Sequence, residues 1–306
     1  MSDGFVAYNS NNEILISSDT RNLHLIAKLS TPTVLASTDG YGGLRFLSYT
    51  VQCSVTPVPF FTMPTGDYYG IMAVRNTSGN TWTIEIARSG TGSTYPEVYV
   101  FADPRAVTAT DSHGMQVYRD DGTPSFDSRR RPLAITGGTN VTHPSNPRPS
   151  PGGGLTARYC GSNASSALSP TEENGGYSVG TIPSKPMFHY SSLAQAQRQI
   201  QFYDKDEDCS GFDVYGACLG FEVTEEYWST YWAFYRGGIR RSGSSLYAGW
   251  IVVDAACNWQ TRFDEDFLGA IDTGGGGGSG GSWPYSNETI NLSSTAVIVG
   301  DASRYD

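Results

Sequence analysis

A twenty-residue pattern that occurs twice in one register constrains this chain more than any other feature. Residues 4–23 and 114–133 align without a gap at a constant offset, 114 − 4 = 110. The alignment pairs Gly4 with Gly114, Tyr8 with Tyr118, Ile16 with Phe126, Ser18 with Ser128, Arg21 with Arg131 and Leu23 with Leu133. A gapless register of that length marks an internal repeat, so the chain reads as two copies of one module. Each copy has an apolar run ending in Tyr, a cluster of Asn, Asp or Gly, and a second run carrying Ile or Phe. That order predicts a β-hairpin, because Gly, Asn and Asp tolerate the positive φ values of tight turns. Such hairpins are common in all-β proteins, where the Tyr covers a sheet face; the shared ending Ser-x-x-Arg-x-Leu goes beyond that pattern.

The sequence Gly-apolar-x-apolar-Tyr, an Asn/Asp-rich turn, then apolar-Asp-Ser-x-x-Arg resembles the opening of virion proteins from tailed bacteriophages. The nearest likeness is to small proteins of the tail tip and tail-fibre region. Residues 114–131 match the pattern, with Asp127 in place; the first copy has Ser17 there instead. The two copies together cover about forty of 306 residues. The resemblance implies a structural protein of the virion tail that assembles in the bacterial cytoplasm with other phage tail proteins. It implies a homo-oligomer, with a homotrimer around the tail axis favoured, and it carries over no catalytic residue.

Composition supports sheet: 19 Tyr, 13 Phe and 6 Trp stand beside 36 Gly and 16 Pro, and only 16% of residues are charged. The expected fold is all-β, with two related β-sandwich-like modules, the second carrying a long loop-rich insertion with one short helix. The first module is placed at residues 1–110. The second takes 111–136 plus about 246–306, and 137–245 form a loop-rich and aromatic-rich insertion.

Within the first copy, strands are expected at 23–29, 44–51, 68–75, 81–88 and 98–103. Trp82, Ile84 and Ile86 alternate with Thr83, Glu85 and Ala87, the period of a half-buried strand. Residues 57–64 hold three prolines and are expected at an edge or in a loop, since proline has no N–H for a ladder. In the second copy, Pro144, Pro147, Pro149 and Pro151 precede three glycines, which predicts an extended loop, either a linker or an arm on an adjacent subunit. Residues 191–202 are read as a helix with a Ser cap and Leu193, Ala196 or Gln197, and Ile200 on one side. Residues 248–253 are set against 70–74, and a last strand is expected at 295–300 after a glycine-rich loop at 274–281.

A net charge of −10 disfavours a nucleic-acid surface, which needs a basic stripe. Arg129, Arg130 and Arg131 are read as pairing with nearby carboxylates or with an acidic partner. No apolar run approaches the ~20 residues of a spanning helix, so no membrane insertion is expected, and the N-terminus lacks a secretory pattern. Five cysteines without a CxxC pair are expected mostly reduced and buried, with Cys209 and Cys218 close across a loop. The acids at 204–208 resemble a calcium loop, but Cys209 and Tyr215 stand where Gly and Glu are required, so a solvated acidic loop is expected. His24, His113, His143 and His189 show no metal-ligand spacing. No metal site, cofactor or enzymatic activity is expected, although an acidic pair such as Asp264 and Asp266 is the kind that a polysaccharide-degrading tail enzyme uses.

Between 212 and 253 the chain is dense in aromatic residues. Tyr227, Trp228, Tyr231, Trp232 and Tyr235, with Arg240 and Arg241, form the candidate interface or receptor contact. Core packing is the commonest role of such residues. Sugar stacking and protein contact are the functional alternatives, which makes a host surface glycan or pilus a candidate partner.

Overall fold

The computed structural model describes residues 6–8, 14–17, 22–36, 45–64, 66–90, 92–107, 112–145, 147, 172–212, 218–262, 286–291 and 294–306. In chain order the strands are β1 (Val6–Tyr8), β2 (Ile14–Ser17), β3 (His24–Leu29), β4 (Thr33–Ala36), β5 (Arg45–Gln52), β6 (Val58–Phe61), β7 (Tyr69–Ser78), β8 (Thr81–Arg88), β9 (Val98–Ala102), β10 (Gln116–Tyr118), β11 (Pro124–Asp127), β12 (Ile135–Val141), β13 (Glu173–Ser178), β14 (Pro186–His189), β15 (Gln195–Phe212), β16 (Cys218–Ser242), β17 (Ser245–Arg262), β18 (Ser286–Asn291) and β19 (Thr295–Asp301). Short 3-10 turns at Pro104–Ala106 and Ala302–Tyr305 follow β9 and β19. The fold is all-β, and no α-helix occurs among the described residues.

The repeated segments form the same hairpin. In β1–β2, Val6 faces Ser17 and Ala7 faces Ile16, and a register shift then brings Tyr8 to Ile14. In β10–β11, Gln116 faces Asp127 and Val117 faces Phe126, and the same shift brings Tyr118 to Pro124. Every pair differs by 110 in both members, so sequence repeat and structural repeat coincide down to the irregularity.

The likeness extends to both large sheets. The first runs β12-β19-β14-β6-β9-β3; the second runs β13-β17-β16-β7-β8-β5-β4, with β15 on β16 and β18 on β15. Apart from β4, which extends the second sheet beyond β5 and has no counterpart in it, each order is palindromic when β3, β5, β6, β7, β8 and β9 are matched with β12, β13, β14, β16, β17 and β19. At the centres two counterparts meet antiparallel, Phe61 opposite Phe188 and Tyr69 opposite Ile239. The hairpin exits do the same: Leu133 N donates to Leu23 O at 2.7 Å and Leu25 N to Arg131 O at 2.8 Å. An approximate two-fold between the copies has just this consequence.

Both sheets therefore take strands from both copies, and the boundary near 110 divides the sequence without dividing the sheets. Residues 137–245 are likewise not set apart from the sandwich, since they supply β13, β14, most of β12 and a central strand, β16. What the second copy adds is smaller: β15, β18 and the far lengths of β16 and β17. The counterpart of β7 is β16, whereas residues 248–253 lie in β17, the counterpart of β8.

One core lies between the sheets. Phe61, Val98, Val100, Val141, Phe188, Val297 and Val299 come from the first sheet, and Leu47, Tyr49, Tyr69, Ile71, Ile84, Ile86, Ile239 and Leu246 from the second. Burying one such aliphatic or Phe side chain contributes about 1.5–3 kcal/mol. The other face of the first sheet is covered too: Phe60, Tyr99, Phe101 and Met187 pack with Tyr305, Leu23 and Leu133.

Three local expectations are corrected. β6 is a central strand despite its proline. The Pro59 carbonyl points at β14, where His189 Nδ1 lies 2.8 Å from it, and β14 pairs with β6 only at Phe61. The missing N–H thus falls where no ladder bond is required. Residues 195–202 belong to β15 and not to a helix. Gln195 and Gln197 are exposed while Ala194 and Ala196 are buried, the period of a strand. The acidic residues 204–208 lie in the same strand, paired with β16, and do not form a loop.

Candidate functional site

The repeated motif closes on itself. Asp127 is fully buried. Its Oδ1 accepts from Arg129 N at 3.1 Å and Arg129 Nε at 2.8 Å, and its Oδ2 accepts from Arg129 Nη2 at 2.7 Å and Gln116 Nε2 at 3.0 Å. Arg129 holds the Asp127 carboxyl down at about 2, against the burial that by itself raises it. Arg130 Nε lies 3.4 Å from the same carboxylate and Arg131 Nη1 donates to Tyr305 O at 3.1 Å, so all three arginines are used within the chain. Ser128 Oγ accepts from Met115 N at 2.8 Å. Gly114 is required by close approach, because a Cβ there overlaps Arg129 Cγ and Ser128 Oγ. Tyr118 is half exposed and donates to Gln116 Oε1 at 2.9 Å. Gly4, Ser18 and Arg21 lie outside the described residues, as does the side chain of Tyr8.

Between the copies, His24 is buried with Nδ1 2.9 Å from Asn22 O and Nε2 3.1 Å from Asp127 O. Burial lowers its pKa, opposed by those two carbonyls. Two ionic clusters also span the copies. Lys28 and Lys185 each contact both Glu97 and Asp306 within 3.0 Å, and Tyr99 Oη donates to Asp306 at 2.8 Å. The lysine ammonium groups hold the Asp306 carboxyl well below the usual range. In the second cluster, Arg240 Nε donates to Glu173 Oε2 at 2.7 Å and Nη2 to Oε1 at 2.5 Å, while Tyr68 Oη also donates to Glu173. The Arg240 guanidinium stacks 4.4 Å from the Tyr247 ring centre. The bidentate pair and the stack on Tyr247 lie within the second copy and fix the Arg240 guanidinium, and Tyr68 ties the first copy to it: Arg240 Nε lies 3.1 Å from Tyr68 Oη.

Within the second copy, buried His143 has Nε2 2.9 Å from Tyr190 Oη, and its ring centre lies 5.2 Å from that of Trp250. Burial pushes its pKa down to about 4, opposed by the Gly238 carbonyl. The described part of the proline-rich stretch packs inward: Pro144 O accepts from Trp250 Nε1 at 3.1 Å, and Pro144 and Pro147 are buried. Pro149 and Pro151 lie outside the described residues.

The aromatic segment is split by the strand period. β16, at 25 residues, is roughly 80 Å long at about 3.3 Å per residue. It pairs with β15 over residues 218–236, with β17 over 226–242 and with β7 at Ile239. Tyr231 and Tyr235 point to the packed face with Ala194, Ala196, Ala233, Trp250, Val252 and Ala255. They serve the chain's own core and are not on offer to a receptor. Trp232 and Phe234 point the other way; Phe234 is 38% exposed, and Trp232 is half-buried. Arg241 is half-buried opposite Leu246. Tyr227 and Trp228 lie opposite Asp204 and Tyr203 on β15, with their side chains outside the described ones. Phe234 was absent from the interface set; the strand period through Trp232 was the signal that points to it.

Cys53 is a buried free thiol, whereas Cys257, opposite Tyr231, is disulfide-bonded, which corrects the expectation of reduced thiols for that residue. Cys209 and Cys218 lie near the same end of the β15–β16 hairpin. Among the described residues no group of His, Cys, Asp or Glu is placed to hold a metal ion, and no helix is long and apolar enough to cross a membrane. Asp264 and Asp266, and the glycines at 274–281, lie outside the described residues. No family model matches the chain, and no match is found among curated proteins or solved structures.

Proposed function

We propose that the protein is a non-enzymatic structural component of a bacteriophage tail, at the tail tip, baseplate or fibre-attachment region, working as a homo-oligomer among other tail proteins. The duplicated hairpin carries this reading. It bears the motif that resembles tail-tip proteins, and it occurs twice with one register and one irregularity. The β15–β16 hairpin adds support. Residues 218–225 of β16 pair with β15 beyond the point where β17 pairing begins at Glu226, and β18 pairs only with residues 195–200 of β15. The result is a two-stranded arm with no third strand among the described residues. A two-stranded ribbon is marginal in water by itself, so such an arm suits a protein that lies against neighbours in an assembly.

Electron microscopy of purified particles with a gold-labelled antibody against the chain tests the proposal. Label at the distal tail is expected; label on the capsid moves the protein to another place in the particle, and unlabelled particles overturn the reading. A second reading, recognition of the host surface, is favoured by Trp232 and Phe234 facing outward on β16 while Tyr231 and Tyr235 face the core. Addition of excess purified protein then blocks adsorption of the phage to its host.

A further inference from the structure

The outward face of the sheet formed by β15, β16 and β17 has a side-chain order that folding by itself does not require. Across the strands, Gln197 stands opposite Phe234 and Phe234 opposite Asp254; one step along, Gln199 stands opposite Trp232 and Trp232 opposite Ala256. Gln195 and Asn258 continue the strip at its two ends, and Asn291 of β18 lies opposite Gln195. Each aromatic ring thus has a primary amide in register on one side and a small or short side chain on the other. The two rings are two residues apart on one strand, roughly 7 Å.

That combination is the chemistry of a sugar chain. The C–H face of a pyranose ring is apolar and lies flat on an aromatic ring, while its hydroxyl groups need neighbours that both donate and accept, which a primary amide does. Trp232 is half-buried with the small Ala256 opposite it, and Phe234 keeps 38% of its surface exposed although Tyr235 beside it is fully buried. Charge narrows the ligand further. In a chain of net charge −10, the strip carries one arginine, Arg236, and one carboxylate, Asp254, which offset one another. An anionic glycan gains nothing from such a face, and a neutral one loses nothing.

We infer that the outer face of the β15–β16–β17 sheet binds a neutral glycan chain, with Trp232 and Phe234 as adjacent stacking positions and Gln197 and Gln199 as the hydroxyl contacts. The inference names a ligand for the host-recognition reading and stands on this sheet face, not on the virion reading. Purified full-length protein is applied to an array of neutral gluco-, manno-, galacto- and N-acetylglucosamine oligomers, with sialylated and sulfated glycans as controls. The best neutral oligomer is then titrated by calorimetry.

Retention of at least one neutral class is expected, unchanged by about 0.5 M salt because no ion pair is involved. Affinity is expected to fall about tenfold or more in Trp232→Ala and in Phe234→Ala, which corresponds to about 1.4 kcal/mol. Gln197→Leu, which keeps volume at an exposed position, weakens binding while leaving the thermal midpoint unchanged, and so separates lost contact from lost folding. Failure to retain any neutral oligomer overturns the inference, as does retention that survives both aromatic substitutions, or binding confined to acidic glycans and released by salt. Tail label without glycan binding removes this inference alone. Glycan binding without label on particles removes the virion reading alone.

Discussion

His143 keeps a titratable ring out of water inside the second copy, beside Trp250 and beside Tyr190, whose carbonyl accepts from Ile71 N of the first copy. Its pKa of about 4 in the folded chain lies below the ordinary value of 6.5, so between those pH values the unfolded chain binds a proton that the folded chain does not. The stabilisation is complete above pH 6.5 and is lost as the pH falls towards 4. The loss amounts to about 3 kcal/mol. His24 and His189 are lowered by burial in the same direction and add to it. Asp127, held near 2 by Arg129, acts in a separate window, losing its contribution below the ordinary carboxylate pKa as the pH falls towards 2. Thermal midpoints measured from pH 7 to pH 4 are expected to fall steadily, and His143→Gln flattens part of that slope; an unchanged slope contradicts the assignment. Gly237 belongs to the same site, since a Cβ there lies 2.5 Å from His143 Nε2 and 2.6 Å from Tyr190 Oη. Gly237→Ala is therefore expected to cost about 1–3 kcal/mol in urea denaturation through overpacking.

Among the elements, β15 shows best what was legible in the sequence. Glutamine stands at 195, 197, 199 and 201 with alanine at 194 and 196, a strict alternation that was open to view. The Ser cap and the good helix propensity of Ala and Gln pointed the other way, and pairing with β16 on one side and β18 on the other outweighed that propensity. Pro59 misled for a different reason. Its missing N–H is plain in the sequence, but the place where β14 stops pairing with β6 depends on contacts 127 residues away, 188 − 61 = 127. The hairpins and the all-β character were legible because both rest on local pattern. The outward face of Trp232 and Phe234 was half legible, since alternation tells which residues share a face but not which face is packed. The β15–β16 arm yields the prediction that belongs to this scale. Residues 204–227 replaced by a two-residue Asn-Gly turn leave Tyr203 and Trp228, which already pair, to close the hairpin. The shortened chain is expected to keep its thermal midpoint within a few degrees, because the sandwich core lies elsewhere. It is also expected to be missing from particles produced by a phage that carries the deletion. Incorporation at the normal level shows that the arm is not an assembly element.

At the scale of the molecule, duplication explains why one chain has two continuous sheets instead of two separate sandwiches. Each copy ends its sheets at equivalent strands, β6 and β7 in the first and β14 and β16 in the second, and the approximate two-fold joins each edge to its own counterpart. An unpaired edge is a template for association, so joining these edges within the chain removes from each copy its most exposed backbone. Phe61 and Phe188 meet at that seam, both without exposed surface, in the core that the two copies share. Phe61→Ala therefore takes a large side chain from the place where both halves depend on it, and about 3–5 kcal/mol of stability is expected to be lost. The first copy alone, residues 1–110, keeps β3, β4, β5, β6, β7, β8 and β9 but bares the β6 and β7 edges. Its own β6 and β7 are the best available substitutes for the missing β14 and β16, because the joint already brings counterparts together. The fragment is expected to elute in size-exclusion chromatography as a dimer or larger species. Mixing with residues 111–306 is expected to shift it towards a one-to-one complex. A stable folded monomer of 1–110, indifferent to the second fragment, would show that the seam contributes little and that the copies fold independently.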